Sequence, residues 1–265
     1  MKAVLHYPGS KKRIAPWIVE NMAPHRSYLE PYFGGGAVFF EKPPSAVETI
    51  NDKDGEVVNF FRVVRELDTR KELIRQLNYT PYSREVYEDS FTTEPKTEIE
   101  KALFFVIKSM QSQGFCLDRK NGWKRDTGSR EAAYAVRYWN ELPEVLALMA
   151  ERLKAAQIEN VPAIDLIKAF NRENILIYAD PPYLPSLRSR TQYRHEMTEA
   201  EHVELLQVLN KSKAKVMISG YECELYNNLL AGWKKLQIQA KAQGGAERTE
   251  ILWLNYEPAT QISLF

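Results

Sequence analysis

Cysteine is scarce in this chain of 265 residues: Cys116 and Cys223 lie far apart, without the spacing of metal ligands. That argues against a disulfide framework or a zinc site, and two buried free thiols are expected. Histidine is nearly as scarce. His6, His25, His195 and His202 show no ligand-like spacing, so no metal is expected. No apolar run nears the roughly 20 residues needed to cross a bilayer, and the opening MKAVLHYPGSKK lacks the apolar core of a signal peptide. A cytoplasmic protein without membrane attachment is the expectation. Net charge is missing too. With 36 Lys and Arg against 35 Asp and Glu the formal balance is +1, which excludes a histone-like coat of positive charge but leaves room for a local basic face. Internal repeats and low-complexity tracts are absent.

What is present is ordinary for a globular protein, with 44% hydrophobic and 27% charged residues. A chain of this length buries roughly three quarters of its unfolded surface if it folds as one unit. It has room for one large domain, or for a domain carrying an insertion.

The order of elements favours the second arrangement. SYLEP (27 to 31) reads as a short buried strand, FGGG as a loop after it, and AVFFEK as the start of a helix. AVETI (46 to 50) reads as a second strand ending at NDKD. An amphipathic helix follows from about Gly55 to Leu67, with Val57, Val58, Phe61, Val64 and Leu67 near helical spacing. Such alternation marks a parallel sheet. From about residue 68 the pattern turns helical, interrupted by the polar GFCLDRKNGWKRDTGSR. Strand signals resume at NILIYAD (174 to 180) and continue in KVMISGY (215 to 221), KKLQIQAK and TEILWLNY, the last two as a hairpin. The expected fold is α/β, with residues 1–67 and 156–265 forming one domain around a mostly helical insertion, 68–155. Apolar stripes such as Trp139, Leu142, Val145, Leu146 and Met149 are core.

In an open α/β sheet, ligands sit beyond the carboxyl ends of the strands, and the chemically equipped stretches fall there. Gly34, Gly35 and Gly36 follow the first strand, where missing side chains let a ligand approach the backbone. Asp52 follows the second, where a carboxylate can take both hydroxyls of a ribose. A tight turn and a helix cap, with Asp54 beside it, would account for the same residues. A dinucleotide fingerprint is disfavoured because Phe39 stands where its third glycine belongs. ILIYA then stops at Asp180, Pro181, Pro182 and Tyr183. The prolines stiffen a turn that holds carbonyls outward beside a carboxylate, and Tyr183 adds a flat face suited to a base taken out of its helix.

These motifs, YPGSKK, YLEPYFGGGAVFF, NDKD, ADPPY, ISGY and TEILWLNY in this order, resemble the Dam-type DNA adenine-N6 methyltransferases of the D12 class, over nearly the whole chain. The resemblance implies a Rossmann-like methyltransferase sheet with a C-terminal hairpin, S-adenosyl-L-methionine as cofactor and double-stranded DNA as partner. By it, Tyr7 and Lys11 belong to the N-terminal cofactor motif, although many relatives carry Trp and a small residue where Tyr7 and Pro8 stand. Tyr32, Gly34 and Gly36 line the cofactor site, Asp52 binds the ribose, and Asp180 to Tyr183 form the catalytic motif, with Asp180 also at the cofactor. The implied chemistry is direct transfer. Asp180 and the Pro181 carbonyl hold both amino protons of a flipped adenine, localising a lone pair that attacks the methyl group in line.

Target recognition falls by the same resemblance to the inserted segment. From Arg119 to Arg137 it holds six Lys or Arg against two acids. Gln113, Arg119, Lys120, Asn121, Trp123, Lys124 and Arg125, with Gln111 before them, are therefore expected at DNA, since Gln, Asn and Arg pair with bases while Lys finds phosphate. Arg188, Arg190 and Arg194 are expected near phosphates beside the flipped nucleotide. His195 is read as the lead-in to a helix capped by Thr198 and Glu201, with the base pocket as its other reading. Cytosine-N4 methylation by the same fold and a catalytically silent DNA-binding protein are the alternatives. A monomer is expected, and a cognate restriction endonuclease is an admissible partner.

Overall fold

The computed structural model describes Tyr7, residues 9–115, Leu117, and residues 119–128, 134–188, 193–241 and 247–258. One sheet organises them. Its strands are β1 (Ser27–Glu30), β2 (Val47–Asn51), β3 (Ala156–Glu159), β4 (Ile175–Ala179), β5 (Lys215–Gly220), β6 (Lys234–Lys241) and β7 (Glu247–Leu254), in the order β3-β2-β1-β4-β5-β7-β6. β3, β2, β1, β4 and β5 are parallel neighbours; β7 runs antiparallel to both β5 and β6. The expected α/β sheet with a C-terminal hairpin is therefore present. Its turn lies outside the described residues.

Helices cover both faces, as a parallel sheet requires. In chain order they are α1 (Ala15–Glu20), α2 (Ala37–Glu41), α3 (Gly55–Arg65), α4 (Leu67–Tyr79), α5 (Arg84–Thr92), α6 (Glu98–Gln111), α7 (Tyr134–Leu153), α8 (Ala163–Ala169), α9 (Glu199–Asn210) and α10 (Glu224–Leu229). The strand period of two sorts side chains between two cores. Tyr28, Leu176, Tyr178, Met217 and Leu252 join one core with α3, α6 and α7. Leu29, Ile177, Val216, Ile218 and Trp253 join the other with α8, α9 and α10.

Three features differ from the pattern read off the sequence. The helix expected to run to Leu67 ends at Arg65, because Glu66 turns extended (φ −76°, ψ 136°) before α4 begins. Strand β3 is unannounced: AQIE is four residues with only Ala156 fully buried, too short and half-exposed to show alternation. α7 continues through Pro143, which leaves one helical carbonyl without its partner but does not end the helix.

The inserted helices pack straight onto the sheet layer. Phe60 on α3 and Phe105 on α6 stand 5.4 Å apart within one core. At the far end of α7, Arg152 makes a two-pronged contact with Glu48 on β2, while Lys42 donates to the same carboxylate at 2.6 Å. Both the Glu48 and Lys42 side chains are essentially inaccessible. Among the described residues no helix is long and apolar enough to cross a membrane.

Candidate active site

The strand order reverses between β1 and β4, and a crevice opens there beyond the strands' carboxyl ends. It is a cleft of about 800 Å³, open mouth included, lined among others by Tyr7, Lys11, Glu30, Tyr32, Gly34, Gly36, Asp52, Tyr178, Asp180 and Pro182. Residues from both halves of the chain thus share one wall.

At its floor the loop after β1 needs its glycines. Gly34 and Gly36 adopt positive φ (50° and 66°), where a side chain is strained. A Cβ on Gly34 would come within 2.7 Å of the Tyr7 ring, so the main chain and Tyr7 meet as closely as they can. Gly36 precedes α2, and amides of two loops hold Asp52: Gly34 N–H, after β1, donates to Oδ2 at 2.7 Å, and Asp54 N–H, after β2, to Oδ1 at 2.8 Å. Asp54, not Asp52, caps α3, through Glu56 N–H. Asp52 is therefore released from capping and held rigid in the cleft.

Burial raises the Asp52 carboxyl to about 6, with the Gly34 and Asp54 amides pulling the other way. It is ionised at neutral pH and presents its carboxylate to the cleft, a fit to a vicinal diol. Glu30, at the end of β1, is buried deeper and pushed to about 8, despite the hydrogen bond from Tyr28 at 2.7 Å. At pH 7 it is largely protonated, and the charge of Asp180 adds to that shift.

The donor set fits S-adenosyl-L-methionine: a glycine floor, a rigid carboxylate for ribose hydroxyls, and aromatic walls from Tyr7 and Tyr32. A consequence is measurable. Cofactor affinity should hold above neutrality and fall as pH drops through about 6, because protonation turns one Asp52 oxygen from acceptor to donor. Calorimetric titration with the cofactor from about pH 5 to 8 checks this, and Asp52→Asn should bind weakly without the acid-side fall.

The Asp180-Pro181-Pro182-Tyr183 turn leaves the end of β4. Lys11 places its ammonium 3.0 Å from Asp180 Oδ1, donates to Gly9 O at 2.9 Å and stands 4.7 Å from the Tyr183 ring centre. Burial raises the Asp180 pKa while Lys11 opposes it. The lysine thus offsets part of the cost of a carboxylate at this depth. Tyr183 is only 8% exposed, and its hydroxyl donates to Glu250 Oε2 at 2.7 Å. The edge of Tyr221 meets its ring at 4.7 Å. The open aromatic face expected of Tyr183 is thus bounded by Lys11 and Tyr221.

Other expected residues divide. Gln113, Arg119, Lys120, Asn121 and Arg125 are exposed on a loop after α6, with Lys124 half-buried beside them. This loop folds back on itself: Ser112 bridges Trp123, Gln113 N–H donates to Gly122 O, and Lys124 N–H to Gln111 O. Lys120 also reaches Glu88 at 3.1 Å, and Asn121 donates to Gln113 O. Trp123 and Gln111 are spent on the frame. The indole N–H donates to the fully buried Gln111, and the ring packs against Tyr82.

Arg188 is a correction. Its side chain is 6% exposed and its guanidinium is taken by Tyr183 O and Glu196, so it braces the catalytic turn instead of meeting phosphate. Arg194 pairs with Asp54 and Glu56. Arg190 and Cys116 lie outside the described residues, whereas Cys223 is a half-buried free thiol. His195 lines the cleft mouth, and Thr198 with Glu201 forms the expected capping box on α9.

The D12 class N6 adenine-specific DNA methyltransferase model matches residues 7–243. The chain belongs to that family. A D12 enzyme of this kind transfers a methyl group from S-adenosyl-L-methionine to adenine N6 at a specific DNA site. The chain is similar to the Type II methyltransferase M1.LlaDCHI of Lactococcus lactis subsp. cremoris, 26% identical over 278 residues and covering 94% of both chains. Among solved structures it is similar to a SAM-dependent methyltransferase from Agrobacterium tumefaciens (12% identity, TM-score 0.40, 94% of this chain and 62% of that one). An rRNA methylase from Streptococcus thermophilus is similar at 8% identity and TM-score 0.38, covering 92% of this chain and 93% of that one.

Sequence reading of this D12 chain passed over Glu30 and Glu250. Glu30 stood in plain view, one residue before the Pro-Tyr-Phe of the glycine loop. Glu250 lay within TEILWLNY, but its partner is 67 residues away, a distance no local pattern spans.

Proposed function

We propose that this chain draws an adenine out of double-stranded DNA and seats it between Asp180, Pro181 and Tyr183, while Gly34, Gly36, Asp52, Tyr7 and Tyr32 hold the cofactor. The observation that carries this is the convergence of Asp52, the glycine floor and Asp180 on one cleft at the switch point of the sheet. S-adenosyl-L-methionine supplies a methyl group on a sulfonium centre.

The chain's residues do the rest. The Asp180 carboxylate and the Pro181 carbonyl accept the two amino hydrogens, drawing the nitrogen's lone pair out of conjugation with the ring. Pro182 fixes the turn so that these acceptors need no rearrangement during the reaction. Burial makes Asp180 a better proton acceptor than a surface acid, so it also takes the proton the nitrogen sheds after gaining the methyl group. Lys11, 3.0 Å away, opposes that effect of burial and favours the charged carboxylate.

Extruding the base costs a few kcal/mol, which duplex contacts must offset. The inserted segment 68–155 is the recognition unit in this reading, with Gln113, Asn121, Arg119, Lys120, Lys124 and Arg125 toward DNA. Arg125→Ala should weaken DNA binding and reduce the slope of log affinity against log salt by about one charge, read by fluorescence anisotropy across salt concentrations. An unchanged slope removes Arg125 from the phosphates. The similarity to a Type II methyltransferase supports a restriction endonuclease of the same specificity as companion, with this chain acting in the cytoplasm as a monomer.

The test is transfer of labelled methyl from S-adenosyl-L-methionine to unmethylated genomic DNA, then nucleoside digestion and mass spectrometry. N6-methyladenine is expected. N4-methylcytosine alone, or no methylated base despite cofactor binding, defeats the reading.

A further inference from the structure

Glu250 sits near the middle of β7, which pairs antiparallel with β5 on one side and β6 on the other. The register explains why its side chain reaches the catalytic turn. β5 and β7 pair from Met217↔Leu254 to Gly220↔Ile251, so the next step would set Glu250 across from Tyr221, just past the end of β5. Tyr183 lies there. Its hydroxyl is held by Glu250 at 2.7 Å, its ring by the edge of Tyr221 at 4.7 Å and 71°. Two residues back on the same side of β7, the Arg248 guanidinium stands 5.3 Å from the Tyr221 ring centre. The hairpin thus holds the Tyr183 hydroxyl and the edge of a ring that Lys11 also meets, 4.7 Å from its centre.

A buried phenol needs a partner for its O–H, and an alcohol would satisfy that need as well as an acid. A carboxylate is an expensive choice in this place. It adds negative charge to a site that already holds Asp180. Its distinctive service is a strong, short, directional acceptor that fixes both side-chain torsions of Tyr183 from the far end.

We propose that Glu250 is a positioning residue for methyl transfer: by anchoring the Tyr183 hydroxyl it fixes the plane of the aromatic ring against which the target base is held, with Tyr221 and Arg248 as backing. This rests on the reading of Asp180 to Tyr183 as the base site. Glu250 touches neither base nor cofactor. It acts through the ring, so its effect belongs to the rate of transfer and not to affinity.

Four variants test it: Glu250→Ala, Glu250→Gln, Tyr183→Phe and the double Tyr183→Phe/Glu250→Ala. The measurements are single-turnover methyl transfer at saturating DNA and cofactor, the two dissociation constants, and the melting temperature. A misplaced reacting geometry predicts a 10- to 100-fold slower rate, roughly, for Glu250→Ala, with both dissociation constants within about threefold. Glu250→Gln, which keeps an acceptor oxygen, should restore the rate to within about threefold of the unaltered chain. Tyr183→Phe keeps the ring and loses the donor, so it should match Glu250→Ala, and the double variant should be no slower than either single one.

The inference is overturned if Glu250→Ala transfers at nearly the unaltered rate. It is equally overturned if Glu250→Gln is as slow as Glu250→Ala, which would assign charge and not a hydrogen bond, or if the losses multiply in the double variant. Should Glu250→Ala fail to fold, Glu250→Gln and Tyr183→Phe decide alone: a fast Tyr183→Phe overturns the anchor. An unaltered chain that forms no N6-methyladenine defeats the base-site reading itself, a separate outcome from any of these.

Discussion

Asp180→Ala should slow methyl transfer by about 10³-fold or more, the scale of losing a placed electrostatic group at the reacting centre. DNA affinity should stay within a few-fold, because the carboxylate serves the transition state more than the bound base. The variant also leaves the Lys11 ammonium, 3.0 Å from the lost oxygen and almost inaccessible, without its nearest counter-charge. Its proton is normally held well above the usual range by Asp180 against the opposing pull of burial. Asp180→Asn separates the two effects: it keeps one acceptor and the shape of the turn, and should fall between Ala and the unaltered chain. Single-turnover assays with DNA binding measured in parallel decide. A collapse of DNA affinity matching the loss of rate would assign Asp180 to binding, against the role proposed here.

Glu48→Ala should give the largest loss of stability, about 3–5 kcal/mol, because it strands two cations behind the sheet. Burial works to raise the Glu48 pKa, yet Arg152, Lys42 and the Ser45 amide together hold it below the ordinary carboxylate range. The contribution is therefore present above that range and fades as pH falls through the lowered value. The Arg152 guanidinium also stacks on Phe39 at 3.8 Å, so the same site joins α7, α2 and β2. Urea unfolding at neutral pH measures the loss, and a change below about 1 kcal/mol would show that the two cations find water or other partners. The exposed pair of Glu72 and Arg75 is the contrast. Its geometry is as close, 2.7 Å, but solvent screens it, so Glu72→Ala should leave the unfolding midpoint unmoved.

How far the residues speak for themselves depends on how local their partners are. Asp180-Pro181-Pro182-Tyr183 was legible because its chemistry lies in consecutive residues at the end of an apolar strand, and ILIYA is indeed buried along its whole length. The glycine loop and Asp52 were legible for a related reason: strand ends in a parallel sheet converge, so residues at two strand ends meet without any need to know the path between them. The capping box at Thr198 and Glu201 is closer still, a contact three residues long.

Charged and aromatic side chains were far less legible, since their role depends on what faces them. Arg188 reads as a phosphate ligand in the sequence and is an internal brace in the fold, turned inward by Glu196 and the Tyr183 carbonyl. Trp123 reads as a DNA contact in the sequence and is half-buried as a frame for the exposed loop, because Gln111 and Tyr82 offer its indole a polar and an apolar partner at once.

By itself, then, the sequence determined the sheet apart from β3, the family and the reaction, because strand patterns and short motifs encode backbone geometry and the chemistry of adjacent residues. Only the tertiary structure decided which cation meets Asp180, which acid anchors Tyr183 and which arginines are already paired within the protein. Some of those pairings span long stretches of chain, as Lys11 with Asp180 does, and others only a few residues, as Arg188 with Glu196 does. The free energy that selects them all comes from burial and charge in three dimensions, which no spacing along one dimension records.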